Sequence, residues 1–277
     1  MEDSPVNPAA DPALDRGDVL GVNVNAITMN DAIKKLEGWI EEGRREYVCV
    51  TGVHGVMECR RDPSLRRIHN DAGMVTPDGV PLVYFLRLIG KERTQRVYGP
   101  DLMREMTAVS ARRGYRQFYY GGDVGLAEKL RETLVRATPG LQVVGTYSPP
   151  FRTLTPDEDR AVVDMINVAR PDIVWVGLST PKQERWMAAH LGRIEAPVMI
   201  GVGAAFDFLA GTKRQAPRWM QRHCLEWLFR LCSEPRRLWR RYVYIVPGFA
   251  CLAAGGLLRR AMRGRESAGA MPSRETG

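Results

Sequence analysis

The chain has 277 residues, enough to bury a full core as one or two domains, and its 44% hydrophobic and 26% charged residues exclude global disorder. Five scattered cysteines, Cys49, Cys59, Cys224, Cys232 and Cys251, include no CxxC pair; this argues for reduced thiols in a cytosolic setting and against a disulfide framework or zinc site. The net charge of +8 is unevenly placed: residues 212–265 hold 13 Lys and Arg against two acids, Glu226 and Glu234, so the rest is acidic on balance. Such asymmetry points to an anionic partner, either nucleic acid or a membrane surface.

In chain order, residues 1–17 lack a basic region followed by an apolar run and read as a disordered leader rather than a signal peptide. From there to Gly211, strand-like runs fall at 19–25, 46–51, 73–76, 116–122, 142–147, 172–178 and 197–203. Helical patterns separate them, clearest in "LAEKLRETLVRATPG" and "DEDRAVVDMINVARPD". Thr155 before Pro156 and Asp157 predicts a capped helix start. Short β-rich runs alternating with helices predict an α/β core over residues 18–211, a Rossmann-like, mostly parallel sheet flanked by helices.

After Gly211 the strand alternation stops. Apolar residues at 220, 224, 227, 228 and 231 recur at helical spacing, with Arg218 and Arg222 on another face. Pro235 is placed to open a second helix. The apolar run Tyr242–Leu258 is 17 residues, broken by Pro247-Gly248 and Gly255-Gly256, and falls short of the ~20 that a spanning helix needs. Residues 212–262 therefore read as a basic, helical, membrane-associating appendage lying in the interface, the alternative being helices packed on the core. Residues 263–277 read as a disordered tail.

Three strand-to-helix junctions carry candidate chemistry. At "FYYGGDVGLAEKL", Gly121 and Gly122 would let backbone approach a ligand, Asp123 could cap the helix, and the helix start suits phosphate. Neither this stretch nor "GVGAAFDFLAG" is a G-x-G-x-x-G, and no P-loop occurs, so a dinucleotide reading is weak. In "TPDGVPLV", Asp78 between Pro77 and Gly79 is either a tight turn or a carboxylate at the sheet edge able to act as a base; the residues alone favour the turn. In "STPKQERWMAAH", Pro181 suits a first helical turn, which puts Lys182, Gln183 and Glu184 around a pocket mouth. Glu184 there matches the helix dipole, Gln183 offers donor and acceptor, and Lys182 supplies charge for phosphate. No H-E-x-x-H, no G-x-S-x-G and no metal-spaced His/Cys set occurs; the histidines are 54, 69, 190 and 223. The acids Asp157, Glu158 and Asp159 read as dipole complement.

These stretches, with "RVYGPDLM", "PDIVWVGLSTPKQERWM" and "GVGAAFDFLAGTKRQAPRWMQRHCLEWLFRLCSEPRRLWRRY", resemble the WecG/TagA/CpsF glycosyltransferases (glycosyltransferase family 26) in order from about Val19 to Tyr242. The resemblance implies an inverting, metal-independent and cofactor-free transfer of a hexose or N-acetylhexosamine from a UDP-sugar, of the UDP-N-acetylmannosamine or UDP-glucose type, forming a β bond. It implies as acceptor a polyprenyl-diphosphate-linked sugar at the cytoplasmic face of the membrane, in teichoic acid or other surface-polysaccharide synthesis, by a peripheral protein able to self-associate through its core. It places the catalytic base on Asp78, the family arginine on Arg96 with Asp101 following, and the family glutamine on Gln183. Asp207 becomes a candidate nucleotide contact, and Arg230, Arg237 and Arg240 fall to the leaving diphosphate. The family's Thr-x-Asn keeps Thr51 but lacks the asparagine; nearby His54 either takes the polar role or satisfies a backbone group at the helix start. The rival readings are a nucleic-acid-binding module using the basic segment and an NAD-dependent dehydrogenase. The apolar run beside the arginines favours lipid over nucleic acid, and the missing glycine fingerprint counts against NAD.

Overall fold

A computed structural model describes residues 14–269. The chain enters through an antiparallel hairpin, β1 (Arg16–Val19) and β2 (Val22–Asn25). Its two-residue turn places Leu20 and Gly21 at φ 56° and 96°, the left-handed pair that a tight hairpin requires. The single strand expected over 19–25 is thus the turn and second arm of a hairpin. Of the leader expected over 1–17, residues 1–13 lie outside the described residues; Arg16 opens β1, and its guanidinium donates to the carbonyls of Asn70, Ala72 and Gly73. Helix α1 (Met29–Glu41) follows, with Thr28 and Asp31 forming a capping box.

Six parallel strands then alternate with helices: β3 (Glu46–Thr51), α2 (Val53–Arg61), α3 (Pro63–Asp71), β4 (Met74–Pro77), α4 (Val80–Leu88), α5 (Gly99–Arg113), β5 (Arg116–Gly121), α6 (Leu126–Ala137), β6 (Gln142–Tyr147), α7 (Pro156–Ala169), β7 (Ile173–Gly177), α8 (Lys182–His190), β8 (Val198–Gly201) and α9 (Ala205–Leu209). The sheet order is β4-β3-β8-β7-β5-β6. Helices cover both faces, so the central strands are apolar on both sides. Val174 and Val176 join one core cluster, Ile173 and Trp175 the other. Thr155 caps α7, as its place before Pro156 and Asp157 predicts, and Glu158, read as dipole complement, completes a capping box with it. All six strands run the same way, so Thr51, Pro77, Gly121, Tyr147, Gly177 and Gly201 end at one edge, where open α/β sheets bind ligands.

The appendage is α10 (Arg218–Arg222), α11 (Glu226–Ser233) and α12 (Pro235–Gly269). Pro235 opens α12 as expected, but Pro247 does not end it. Leu238–Leu258, 21 residues, is long and apolar enough to cross a membrane by length and composition; it exceeds the run read from the sequence because it also takes in residues 238–241, and Pro247 and the glycines stay inside the one helix. One stripe of α12 packs on the core: Ile245 and Phe249 are buried, and Gly248 sits against Met57. The opposite side exposes Val243, Tyr244 and Leu258. Helix also continues through residues 263–269 of the expected tail.

Candidate active site

A cleft of about 1710 Å³ runs along the carboxyl edge of the sheet and under the appendage. A pocket for one small ligand occupies roughly 300–1,000 Å³, so this cleft has room for two substrates.

Asp78 follows β4 and is held by hydrogen bonds from three directions. Its N–H donates to the Thr51 carbonyl (3.0 Å), its Oδ1 accepts from the Gly99 N–H (3.0 Å), and its carbonyl accepts from Arg96 Nε. Oδ2 is turned toward Gly52, where a Cβ would stand 3.6 Å away. Burial pushes the Asp78 carboxyl above the usual carboxylate range; Arg96 pulls it back, and Glu226 adds a push upward. The segment therefore works as more than the turn that Pro-Asp-Gly suggests: the carboxylate is fixed on the cleft wall and made more basic than a surface aspartate.

Arg96 ties core to appendage. Besides the Asp78 carbonyl it donates to Gln221 Oε1 (3.1 Å) and Glu226 Oε2 (2.6 Å), and its guanidinium lies 3.9 Å from the Tyr98 ring centroid. Tyr98 donates its hydroxyl to the other Glu226 oxygen at 3.2 Å. Burial works against the Arg96 charge, but Asp78 and Glu226 outweigh it and hold the pKa above the ordinary arginine value. Arg230, on α11, lines the cleft 5.9 Å from the Phe208 ring centroid and lowers the Asp78 pKa through its charge.

Of the other expected residues, His54, Gly122, Asp123, Lys182, Gln183 and Asp207 also line the cleft. His54 sits in the first turn of α2 with Nε2 3.6 Å from Glu58. Asp123 does not cap a helix with its side chain; its carbonyl accepts from Leu126, because the chain turns through left-handed Gly125 before α6 begins. Asp207 is engaged locally, 3.1 Å from Lys213. Gly121 serves the sheet rather than a ligand: at φ 124°, a Cβ there would lie 2.7 Å from the Gly177 backbone. Thr51 is buried beneath the cleft, its hydroxyl directed to the Cys49 carbonyl at 3.3 Å. Asp101 is exposed and paired with Arg104 at 3.0 Å. Arg240 is exposed, 5.4 Å from the Trp239 ring centroid, and off the cleft wall because its turn of α12 faces outward. The Arg237 side chain lies outside the described residues.

Glu184 departs from its reading as a dipole-matched surface acid. It is 1% exposed and accepts from Thr180 Oγ1 (2.8 Å) and Gln183 Nε2 (3.1 Å). Sequence reasoning also missed Tyr98, Gln221 and Glu226, whose partners lie more than 100 residues away in the chain. It missed a ring stack at the cleft as well, Tyr120 on Trp186 at 4.1 Å and Trp186 on His190 at 4.3 Å. The one available signal was the spacing of Tyr120, Trp186 and His190 at a strand end and along one helix face.

The model of the Glycosyl transferase WecG/TagA/CpsF family matches residues 17–264. The chain belongs to this family. Among curated family relatives, a protein of Bacillus subtilis (strain 168) is 30% identical over 225 residues, covering 81% of this chain and 84% of the relative. One of Bacillus spizizenii is 28% identical over 207 residues (75% and 78%), and one of Staphylococcus aureus (strain MW2) is 24% identical over 225 residues (80% and 87%). Each is named an N-acetylglucosaminyldiphosphoundecaprenol N-acetyl-beta-D-mannosaminyltransferase. The family motifs quoted from the sequence converge on the cleft at Asp78, Arg96, Gln183 and Arg230.

Proposed function

We propose that this glycosyltransferase moves a hexose or N-acetylhexosamine from a UDP-sugar onto a polyprenyl-diphosphate-linked sugar, with inversion and Asp78 as general base. The observation that carries the reading is the Asp78 carboxylate, pinned on the cleft wall with a raised pKa and flanked by two arginines. In the proposed step Asp78 takes the proton of the acceptor hydroxyl as its oxygen bonds to the anomeric carbon. The bond from that carbon to the diphosphate breaks, and UDP leaves with the electron pair. Arg230 and Arg96 offer the positive charge that the leaving diphosphate needs. Lys182, Gln183, Gly122 and Asp123 line the part of the cleft assigned to the donor, with His54 at the α2 end.

The acceptor's diphosphate and isoprenoid chain require a polar end and an apolar path. The cleft supports both. Beyond Asp78 its wall is Tyr84, Phe85 and Leu88 from α4 and Ile245, Phe249 and Leu257 from α12. The outer face of α12 exposes apolar side chains next to Arg240 and Trp239, suited to an anionic membrane surface at which a lipid-linked sugar is met. We assign that surface to the cytoplasmic side, where UDP-sugars are present.

The test is direct: incubate the full-length protein with a panel of UDP-sugars and a short-chain GlcNAc- or glucose-diphosphate lipid, then read product mass and anomeric configuration. A product larger by one sugar with a β linkage supports the reading. Absence of product across the panel, or an α product, overturns it.

A further inference from the structure

We propose that Glu184 is a positioning residue that locks the side-chain amide of Gln183 with its carbonyl oxygen toward the cleft, so that the donor substrate must present an N–H or O–H at that point. The nature of the substrate rests on the glycosyl-transfer reading; the orientation of the amide does not.

An acid in the first turn of α8 would be explained by the helix dipole if it were exposed. Glu184 is instead 1% exposed, and a buried carboxylate is tolerated only when hydrogen-bonded. Both donors come from the same short segment: Thr180 Oγ1 at 2.8 Å and Gln183 Nε2 at 3.1 Å, on one oxygen, Oε1, while Oε2 is buried with no hydrogen-bond partner among the described residues. Oε1 accepts from the Thr180 hydroxyl, and the amide nitrogen of Gln183, a donor, is the atom that faces it.

The consequence falls on the other end. Gln183 is 2% exposed, and its Oε1 is buried with no hydrogen-bond partner among the described residues. Native proteins rarely leave such an oxygen unsatisfied, and exceptions call for a functional account. Here the oxygen borders the cleft beside Gly203, whose missing side chain keeps the approach open: a Cβ there would stand 3.4 Å from it. A Gln183 free to flip would offer donor and acceptor alike. Held by Glu184 it offers an acceptor only, which selects a substrate N–H or O–H and rejects an unprotonated acceptor.

The orientation is read without turnover from the side-chain amide resonances of Gln183 in the full-length, nitrogen-15-labelled protein, assigned by their loss in Gln183→Ala. Two resolved, slowly exchanging protons, one shifted downfield by the carboxylate, are expected in the wild type. Glu184→Ala should collapse them to free-amide positions, and Glu184→Gln, which preserves volume should the alanine variant not fold, should move the shifted proton upfield while keeping the pair resolved. Unchanged resonances in both variants would overturn the proposal.

Kinetics separates positioning from mere support. Glu184→Ala should lower donor kcat/KM about tenfold to a hundredfold, yet cost less than about twofold in a Gln183→Ala background. Equal losses in both backgrounds would contradict the role. In the exchange variant Gln183→Glu with Glu184→Gln, the new amide donates to one oxygen of residue 183 and leaves the other as cleft acceptor. It should retain activity within about tenfold of wild type while Gln183→Met does not; an exchange variant as inactive as Gln183→Met would overturn the donor requirement. If the wild type gives no transfer product while the amide signature holds, the reaction assignment falls and the orientation stands.

Discussion

At the sheet edge, Asp78 is fixed by three segments: its N–H donates to the Thr51 carbonyl, its carboxylate accepts from the Gly99 N–H, and its carbonyl accepts from the Arg96 side chain. Across the cleft, Arg230 stands on α11, a helix with no buried residue, and the appendage meets the sheet edge through polar contacts of Arg96 and Tyr98 with Gln221 and Glu226. The two regions supply opposite charge to one cleft by different means. The carboxylate is built into the sheet edge, while Arg230 rides on an element held by side chains. This suits a proposed reaction in which the base must be ready before substrates arrive and the cations are needed only as the diphosphate departs.

The strongest way to break this contrast is Asp78→Asn, which keeps an oxygen for the Gly99 N–H and removes the base. Transfer should fall by about 10²–10⁴-fold while the donor still binds. Stability should move the other way. The native pKa of Asp78 is raised, so its contribution to stability is fully present below the unfolded-chain value of about 3.9 and is lost as pH rises through the native value. At pH 7 the ionised side chain is a cost, so Asp78→Asn should melt higher than wild type there, with the gap closing toward pH 4. Calorimetry across that range checks it.

Arg230→Ala should cost about 10²–10³-fold in kcat if its charge meets the leaving group, with little change in melting temperature, because α11 buries nothing that the arginine supports. Glu226→Ala addresses the attachment itself. Arg96 and Glu226 are 18% and 22% exposed, so loss of their charged hydrogen bond should destabilise by about 1–3 kcal/mol in urea unfolding and speed proteolysis between residues 212 and 234. Arg240→Ala is the mildest change. Being off the cleft wall, Arg240 should leave transfer in detergent unaltered, and its loss should weaken binding to anionic vesicles by about 1 kcal/mol in a sedimentation assay.

The two regions also differ in how far the sequence reveals them. The central strands were legible because helices on both faces force near-continuous apolar runs such as "DIVWVGL", and Thr155-Pro156 marked its helix start without reference to the rest of the fold. The hairpin at Leu20-Gly21 was missed because a left-handed leucine is not a turn signal that residue type carries. At the site, the role of Asp78 was ambiguous locally, since Pro-Asp-Gly is turn chemistry and what fixes it comes from residues 51, 96 and 99. Family resemblance brought Asp78, Arg96, Gln183 and Arg230 to one cleft. It placed Thr51, Asp101 and Arg240 there as well, and the structure puts these beneath or away from its wall. Glu184 shows the limit of local reading most clearly: a helix-start acid looks the same in sequence whether it faces water or the interior.

The claim that Asp78 is the base is tested most directly by the pH dependence of kcat/KM for the transfer reaction. The account predicts an acid limb with an apparent pKa above the ordinary carboxylate value of about 3.9, and its disappearance from the residual activity of Asp78→Asn. An acid limb of the same position in that variant would contradict it.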